Sequence, residues 1–234
     1  MTTIAEQTLS SIVTANHQAV PVLEKYNLDF CCKGKRTLAQ ACEDKGLKIE
    51  SITEELKSLS AASGKQQMPF TEMSAEQLIS YILIHHHFYV KQSMPTIIAH
   101  LNKVATKHGE RFPYMIKVYD LFSMIMREMT LHMEKEETLL FPKIKDVDKL
   151  FNSGKPSTMS ENCIKNIIDE MEADHEEAGD ILYEIRTLTN NYTPPIDACT
   201  TFKVTLAELK EFEEDLHKHV HLENNILFPK AIQY

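Results

Sequence analysis

Two short stretches carry the most specific chemistry in the chain. His132-Met-Glu-Lys-Glu136-Glu-Thr-Leu-Leu140-Phe-Pro142 and His219-Val-His-Leu-Glu223-Asn-Asn-Ile-Leu227-Phe-Pro229 share the pattern His-x3-Glu-x3-Leu-Phe-Pro. They begin 87 residues apart, at 132 and 219. On a helix, residues four apart lie on one face about a turn apart, so each pattern presents an imidazole beside a carboxylate. That pairing is suited to holding a metal ion.

The helices that must position these groups can be read from apolar periodicity. Four long helical patterns are predicted near 75–102, 114–141, 161–189 and 196–227. Ser74 and Gln77 form a capping-box pattern that starts the first, and Thr193-Pro194 is predicted to cap the last. Pro95 falls inside the first helix, where a kink is expected because the apolar pattern continues through it. The loops between are expected at Lys107–Pro113, Asp146–Ser160 and Asn190–Pro195.

Each helix shows an apolar seam at steps of three and four. The first reads Leu83, His87, Val90, Met94, Ile97, Leu101, and the second Leu121, Ile125, Met129, His132, Glu136, Leu139. The third reads Ile164, Ile168, Met171, His175, Ala178, Leu182, Ile185, and the fourth Phe202, Leu206, Leu209, Phe212, Leu216, His219, Glu223, Ile226. Every seam holds one His, and the second and fourth add one Glu. His85 and His86 adjoin His87 but lie off the seam. His87 and His132 are 45 residues apart, His175 and His219 are 44 apart. The chain thus reads as two copies of one helical hairpin, which together make an all-α four-helix bundle with six inward groups.

A lone seam histidine is ordinarily a hydrogen-bonded core residue. A Glu among Leu and Ile is different, because an unpaired buried carboxylate costs several kcal/mol. No Lys or Arg falls on the four seams near that level, so a metal is expected to supply the positive charge. Six ligands exceed the four of a closed zinc site. Two metals sharing Glu136 and Glu223 as bridges, each with two imidazoles, use all six and leave positions open. Ligand type suits iron, manganese or zinc alike.

The remainder of the chain sets the context. With 43% apolar residues, six Gly and no Trp among 234 residues, a helical globular protein is favoured. A net charge of −9 argues against nucleic acid or an anionic membrane as partner, and no apolar run reaches the length of a membrane span. The start of the chain has neither a basic segment nor an apolar core of a secretory signal. The five cysteines (Cys31, Cys32, Cys42, Cys163, Cys199) suggest no disulfide framework, so a reducing cytoplasm is expected. Residues 1–60 read as a small helical domain with runs at Leu9–Thr14, Ala19–Tyr26, Leu38–Asp44 and Ile52–Leu59. Residues 61–73 read as a linker, and 74–234 as the bundle. Between the second and third runs lies Asp29-Phe-Cys31-Cys32-Lys-Gly34-Lys-Arg36, whose basic residues favour thiolate at Cys31 and Cys32. One buried packing Cys beside one exposed Cys is the plainer reading.

The repeated His-x3-Glu pair resembles the hemerythrin-like cation-binding domain. The Asp29–Lys35 stretch, Tyr192-Thr-Pro-Pro-Ile-Asp-Ala-Cys199 and the 219–229 segment resemble the RIC (Repair of Iron Centres) ScdA/YtfE family. The resemblance spans nearly the whole chain. It implies a cytoplasmic protein with two non-haem iron ions in an Fe–O–Fe centre at His87, His132, Glu136, His175, His219 and Glu223. It further implies a role in restoring iron–sulfur clusters after oxidative or nitrosative stress, with damaged or apo iron–sulfur proteins as partners. The family usually has Cys-Cys-Gly-Gly, whereas Lys33 replaces the first Gly here. The alternatives are a di-iron enzyme reducing nitric oxide or dioxygen, and a sensor or carrier of these ligands; a homodimer is left open. Cys31 and Cys32 are expected to pass iron or electrons, in a domain dispensable for assembling the metal site.

Overall fold

The computed structural model describes residues 3–61, 70–153 and 161–233. The linker read over 61–73 therefore lies largely outside the described residues. Among those described, all regular structure is helical apart from one isolated antiparallel bridge, Thr8 to Thr37. The helices are α1 (Leu9–Ala15), α2 (Val20–Lys25), α3 (Leu38–Asp44), α4 (Ile49–Ala61), α5 (Ala75–Ile82), α6 (Phe88–His108), α7 (Tyr114–Lys135), α8 (Phe141–Asn152), α9 (Glu161–Leu188), α10 (Thr200–Leu222) and α11 (Phe228–Ile232). Three wide π turns, Leu83–His87, Glu136–Leu140 and Glu223–Leu227, join α5 to α6, α7 to α8 and α10 to α11 without a break.

The chain forms two compact units. One is Ile79–Leu216, in which α6 packs on α7 and α7 on α9. Side-chain contacts from α10 to α6 (His100 Nδ1 to Glu208 Oε2) and to α9 (the ion pair Arg186–Glu213) close a four-helix bundle. Its core is the expected seams: Val90, Met94, Ile97, Ile125, Met129, Ile168, Met171, Leu182, Leu206 and Leu209 are all buried. Phe122 and Phe212 meet edge-to-face at 5.2 Å. Arg186 and Glu213 are nearly buried, with guanidinium-to-carboxylate contacts of 2.7 and 3.1 Å. Breaking such a pair costs on the order of 3–5 kcal/mol.

The second unit is Met1–Leu78 with His217–Gln233. Thr8 caps α1 through Ser11 N–H, and Thr37 with Gln40 forms a capping box on α3. Leu9, Leu23, Leu28, Phe30, Leu38 and Ile52 build its interior, and α1 packs on the π turn 223–227. Lys230 Nζ donates to Thr71 C=O at 2.9 Å. The Ser74–Gln77 capping box also forms, at 2.9 and 3.2 Å.

Three expectations change. The last long helix starts at Thr200, not at Pro194. Pro194 precedes Pro195, which bars it from the α region, and Asn190, Asn191 and Tyr192 turn the chain with φ of 48°, 57° and 57°. The second helical rod runs to Asn152, anchored by buried Ile144 and Val147, so the loop predicted from Asp146 begins later. The third concerns Leu139, which the seam places inward. It is 44% exposed, and Leu140 is buried at 0% in its place. The π turn adds one residue to that turn and rotates everything after Glu136.

Candidate metal centre

In the bundle unit, four of the expected ligands converge. Glu136 is fully buried, with Nε2 of His87 and Nε2 of His132 each 3.3 Å from its Oε2. His175 Nε2 lies 2.9 Å from His132 Nε2. His132, Glu136 and His175 each offer a ligand atom within 4.8 Å of the others. Two imidazole nitrogens at that separation can share one proton, or both can address one cation. His132 comes from α7, His175 from α9 and His87 from the π turn that leads into α6, so the bundle's packing aims the rings.

The outer ring nitrogens fix which nitrogen faces inward. His87 Nδ1 lies 2.7 Å from Glu137 Oε1, and Lys91 Nζ holds the same carboxylate at 2.6 and 2.8 Å. His132 Nδ1 lies 3.2 Å from Asp174 Oδ2. A carboxylate on Nδ1–H leaves Nε2 as the lone-pair donor, the arrangement that orients metal-binding histidines. Burial pushes the Glu137 carboxyl up, but Lys91 and His87 outweigh it and hold it below its ordinary value. Asp174 is likewise lowered, chiefly by its hydrogen bond with His132. Neither Glu137 nor Asp174 stood out in the sequence. The signal was an acid one position from a ligand.

The other two expected ligands lie in the second unit. His219 Nε2 is 3.0 Å from Glu223 Oε1, both at 0% exposure. Around them, His217 Nδ1 meets Glu24 Oε1 at 2.7 Å. His221 takes a hydrogen bond from Asn225 Nδ2 (3.2 Å), and burial drives it down to about 4, so it stays neutral. Phe30 lies edge-on to both rings, at 6.0 and 5.7 Å. His86, off the seam, is buried against Asp215 Oδ1 at 3.1 Å, and exposed His85 stacks on Tyr81.

Each π turn carries one expected ligand: His87 ends the first, Glu136 and Glu223 begin the others. In the last two, Leu-Phe-Pro explains the widening. The proline ring at 142 or 229 clashes with the carbonyl four residues back and offers no N–H, so the preceding turn opens to i→i+5 bonds. Phe141 N–H reaches Glu136 C=O, and Phe228 N–H reaches Glu223 C=O. The turn at 83–87 has no such proline.

A small cleft opens between α7 and α9 onto His132. Glu128, Asp174 and Glu177 line it, with Ile125, Met129, Ala178 and Ile181 below.

The cysteine pair sits in a turn fixed by Asp29. Its Oδ1 accepts the amide N–H of Cys31 and of Cys32, both at 3.0 Å, and the Cys31 thiol at 3.2 Å. The sulfurs are 3.8 Å apart. Cys31 is buried and Cys32 half-buried. The hydrogen bond to Cys32 first, and then burial, push the Cys31 thiol well above its ordinary value. Thiolate at Cys31, which the neighbouring basic residues led one to expect, is therefore disfavoured. Cys42 is buried on α3, and Cys199 Sγ lies 3.3 Å from His108 Nε2. The Cys163 side chain lies outside the described residues.

Residues 78–231 match the family described as the Hemerythrin HHE cation binding domain. Residues 5–60 match ScdA_N, a domain of unknown function (DUF542). The chain is 34% identical over 227 residues to the "Iron-sulfur cluster repair protein YtfE" of Shigella boydii, covering 97% of each. It is 34% identical over 229 residues to the "Probable iron-sulfur cluster repair protein" of Haemophilus influenzae, again covering 97% of each.

Proposed function

This chain belongs to the RIC family of hemerythrin-like iron–sulfur cluster repair proteins, and from that premise we propose that it carries two iron ions and supplies iron to clusters damaged by oxidative or nitrosative stress. His87, His132, Glu136, His175, His219 and Glu223 would hold the ions, with Glu136 and Glu223 as bridges. The observation that carries this reading is the buried group in the bundle unit. Glu136 faces two Nε2 atoms whose rings are turned inward by Glu137 and Asp174. The internal repeat extends it to His219 and Glu223, which repeat His132 and Glu136 at a spacing of 87 residues.

The donor set fits iron. Imidazole and carboxylate are borderline-to-hard ligands, and the imidazoles already present lone pairs. Bound iron supplies Lewis acidity and one-electron redox chemistry at this position. The protein's own part is to bind and release. Glu137 and Lys91 lock His87, while Asp174 holds His132 from the rim of a cleft. The carboxylates of Glu128, Asp174 and Glu177 in that cleft favour a divalent cation moving between solvent and His132. No helix among the described residues is long and apolar enough to cross a membrane.

The test is an anaerobic preparation carrying counted iron, incubated with an apo iron–sulfur protein. Transfer of iron with regain of the acceptor's activity is expected. An unchanged iron content alongside catalytic consumption of nitric oxide or dioxygen with an electron donor would replace donation by the enzyme reading.

A further inference from the structure

Among the described residues, a further gathering of metal-ligating groups is the turn Asp29, Cys31 and Cys32. Each offers a ligand atom within 4.8 Å of the others. We propose that these three residues form a second metal site, for ferrous iron or another borderline divalent cation, where iron pauses as it moves to or from the protein. The proposal rests on the reading of the chain as an iron donor.

The donors are held in place before any metal arrives. Asp29 Oδ1 accepts both amide N–H groups of the cysteines, which fixes the carboxylate against the two sulfurs. Gly34 closes the far side of the loop: a Cβ there would stand 2.2 Å from Phe30 C=O, so only glycine allows the chain to pass. Gly34 C=O accepts from Ser10 N–H at 2.9 Å, and Arg36 C=O accepts from Leu9 N–H at 3.0 Å. A loop anchored at both ends loses little conformational entropy on binding.

Ligand number and type separate this site from a structural one. Closed zinc sites use four protein ligands, whereas three leave a position for water or for a ligand from another protein. Two sulfurs with one carboxylate suit iron(II), cobalt(II) or zinc(II) rather than calcium or magnesium. Binding is ligand exchange without redox change. The cation takes two thiolates and a carboxylate, and the thiol protons leave to solvent. Cys31 is buried and Cys32 half-buried, so Cys32 is the sulfur more open to an incoming metal.

The loop also lies against residues of its own unit that flank two of the expected ligands. Phe30 packs on His217 and His221, on either side of His219, and Asn225 Nδ2 reaches Cys31 C=O at 3.5 Å, two residues after Glu223. A metal held by the loop is therefore tied through the backbone of residues 29–32 to the turn that bears His219 and Glu223.

The experiment titrates cobalt(II) anaerobically into full-length protein already carrying two irons. Expected are one further equivalent, a thiolate-to-cobalt charge-transfer band and proton release. Cys32→Ser should abolish the band. Asp29→Asn keeps an oxygen for the two amides and should weaken cobalt binding at least tenfold, with unchanged circular dichroism. No band in the wild type, a band that survives Cys32→Ser, or wild-type affinity in Asp29→Asn each overturns the three-donor site. Iron counted before the titration reports separately on the bundle. A band in a protein that never bound two irons would sink the di-iron reading and leave this site standing.

Discussion

Glu137 Oε1 stands 2.7 Å from His87 Nδ1, on the opposite side of the ring from the Nε2 that faces Glu136. This contact makes the buried imidazole a lone-pair donor towards the interior. Glu137→Ala should lower iron affinity about 10–100-fold, the usual cost of losing such an orienting carboxylate. Glu137→Gln, which keeps an acceptor, should lose less. Competition with a chromophoric chelator gives both affinities, and wild-type affinity in Glu137→Ala would remove its orienting role.

Glu136 and Glu223 are expected to serve both ions, so Glu136→Ala or Glu223→Ala should cost more iron than any single His→Ala. Atomic absorption on matched preparations checks the order. Full iron content in both Glu variants would end the bridging assignment.

Metal removal should reveal a reversal of sign. Glu136→Gln should be less stable than wild type when both are loaded, because the bound metal adds to folding free energy. After chelation it should be as stable or more stable, since the buried carboxylate has lost its cation. Thermal melts of the four samples decide this.

Acid should weaken the unit containing His221. That ring titrates near 4 in the folded chain, against 6.5 ordinarily, through burial and the field of His17. Between those values the unfolded chain binds a proton that the folded chain does not, so stability falls as pH drops from 6.5 towards 4. The loss is at most about 3 kcal/mol. Urea melts of chelated protein should show this slope, and His221→Asn should flatten it.

Leu140→Ala should cost about 2–5 kcal/mol and Leu139→Ala about 0.5 kcal/mol or less. A constant 3.6-residue pattern would predict the opposite, so denaturant melts of the pair test the π turn directly.

The helices and the buried histidines were legible because burial imposes a period that survives in sequence. Met129, His132 and Glu136, or Met171, His175 and Ala178, keep it and are buried where expected. Leu139 was misplaced because a period assumes every turn has the same number of residues. The proline at 142, which widens that turn, looked only like a place for a helix to end. Glu137 and Asp174 were missed because an acid beside a ligand looks like any solvent-facing acid until the ring's second nitrogen is located. Asp29 was passed over beside Cys31 and Cys32, although Asp-x-Cys-Cys has the form of an Asx turn. The packing of Phe30 on His217 and His221 joins positions 187 and 191 residues apart. No local pattern records such a contact.

The π turns at 83–87, 136–140 and 223–227 also mean that these rods are longer in sequence than in space. Each behaves as a one-residue insertion tolerated at the level of an expected ligand. Deleting a single residue there, such as Thr138, would restore ordinary helical bonding and leave every later side chain of the rod facing as it does now, whereas closing the turn without a deletion would rotate them all by about 100°. In that second case Ile144 and Val147 would leave the interior they now fill. What is fixed at this level is the direction of the helix that follows, and the wide turn lets the chain carry one more residue without changing it.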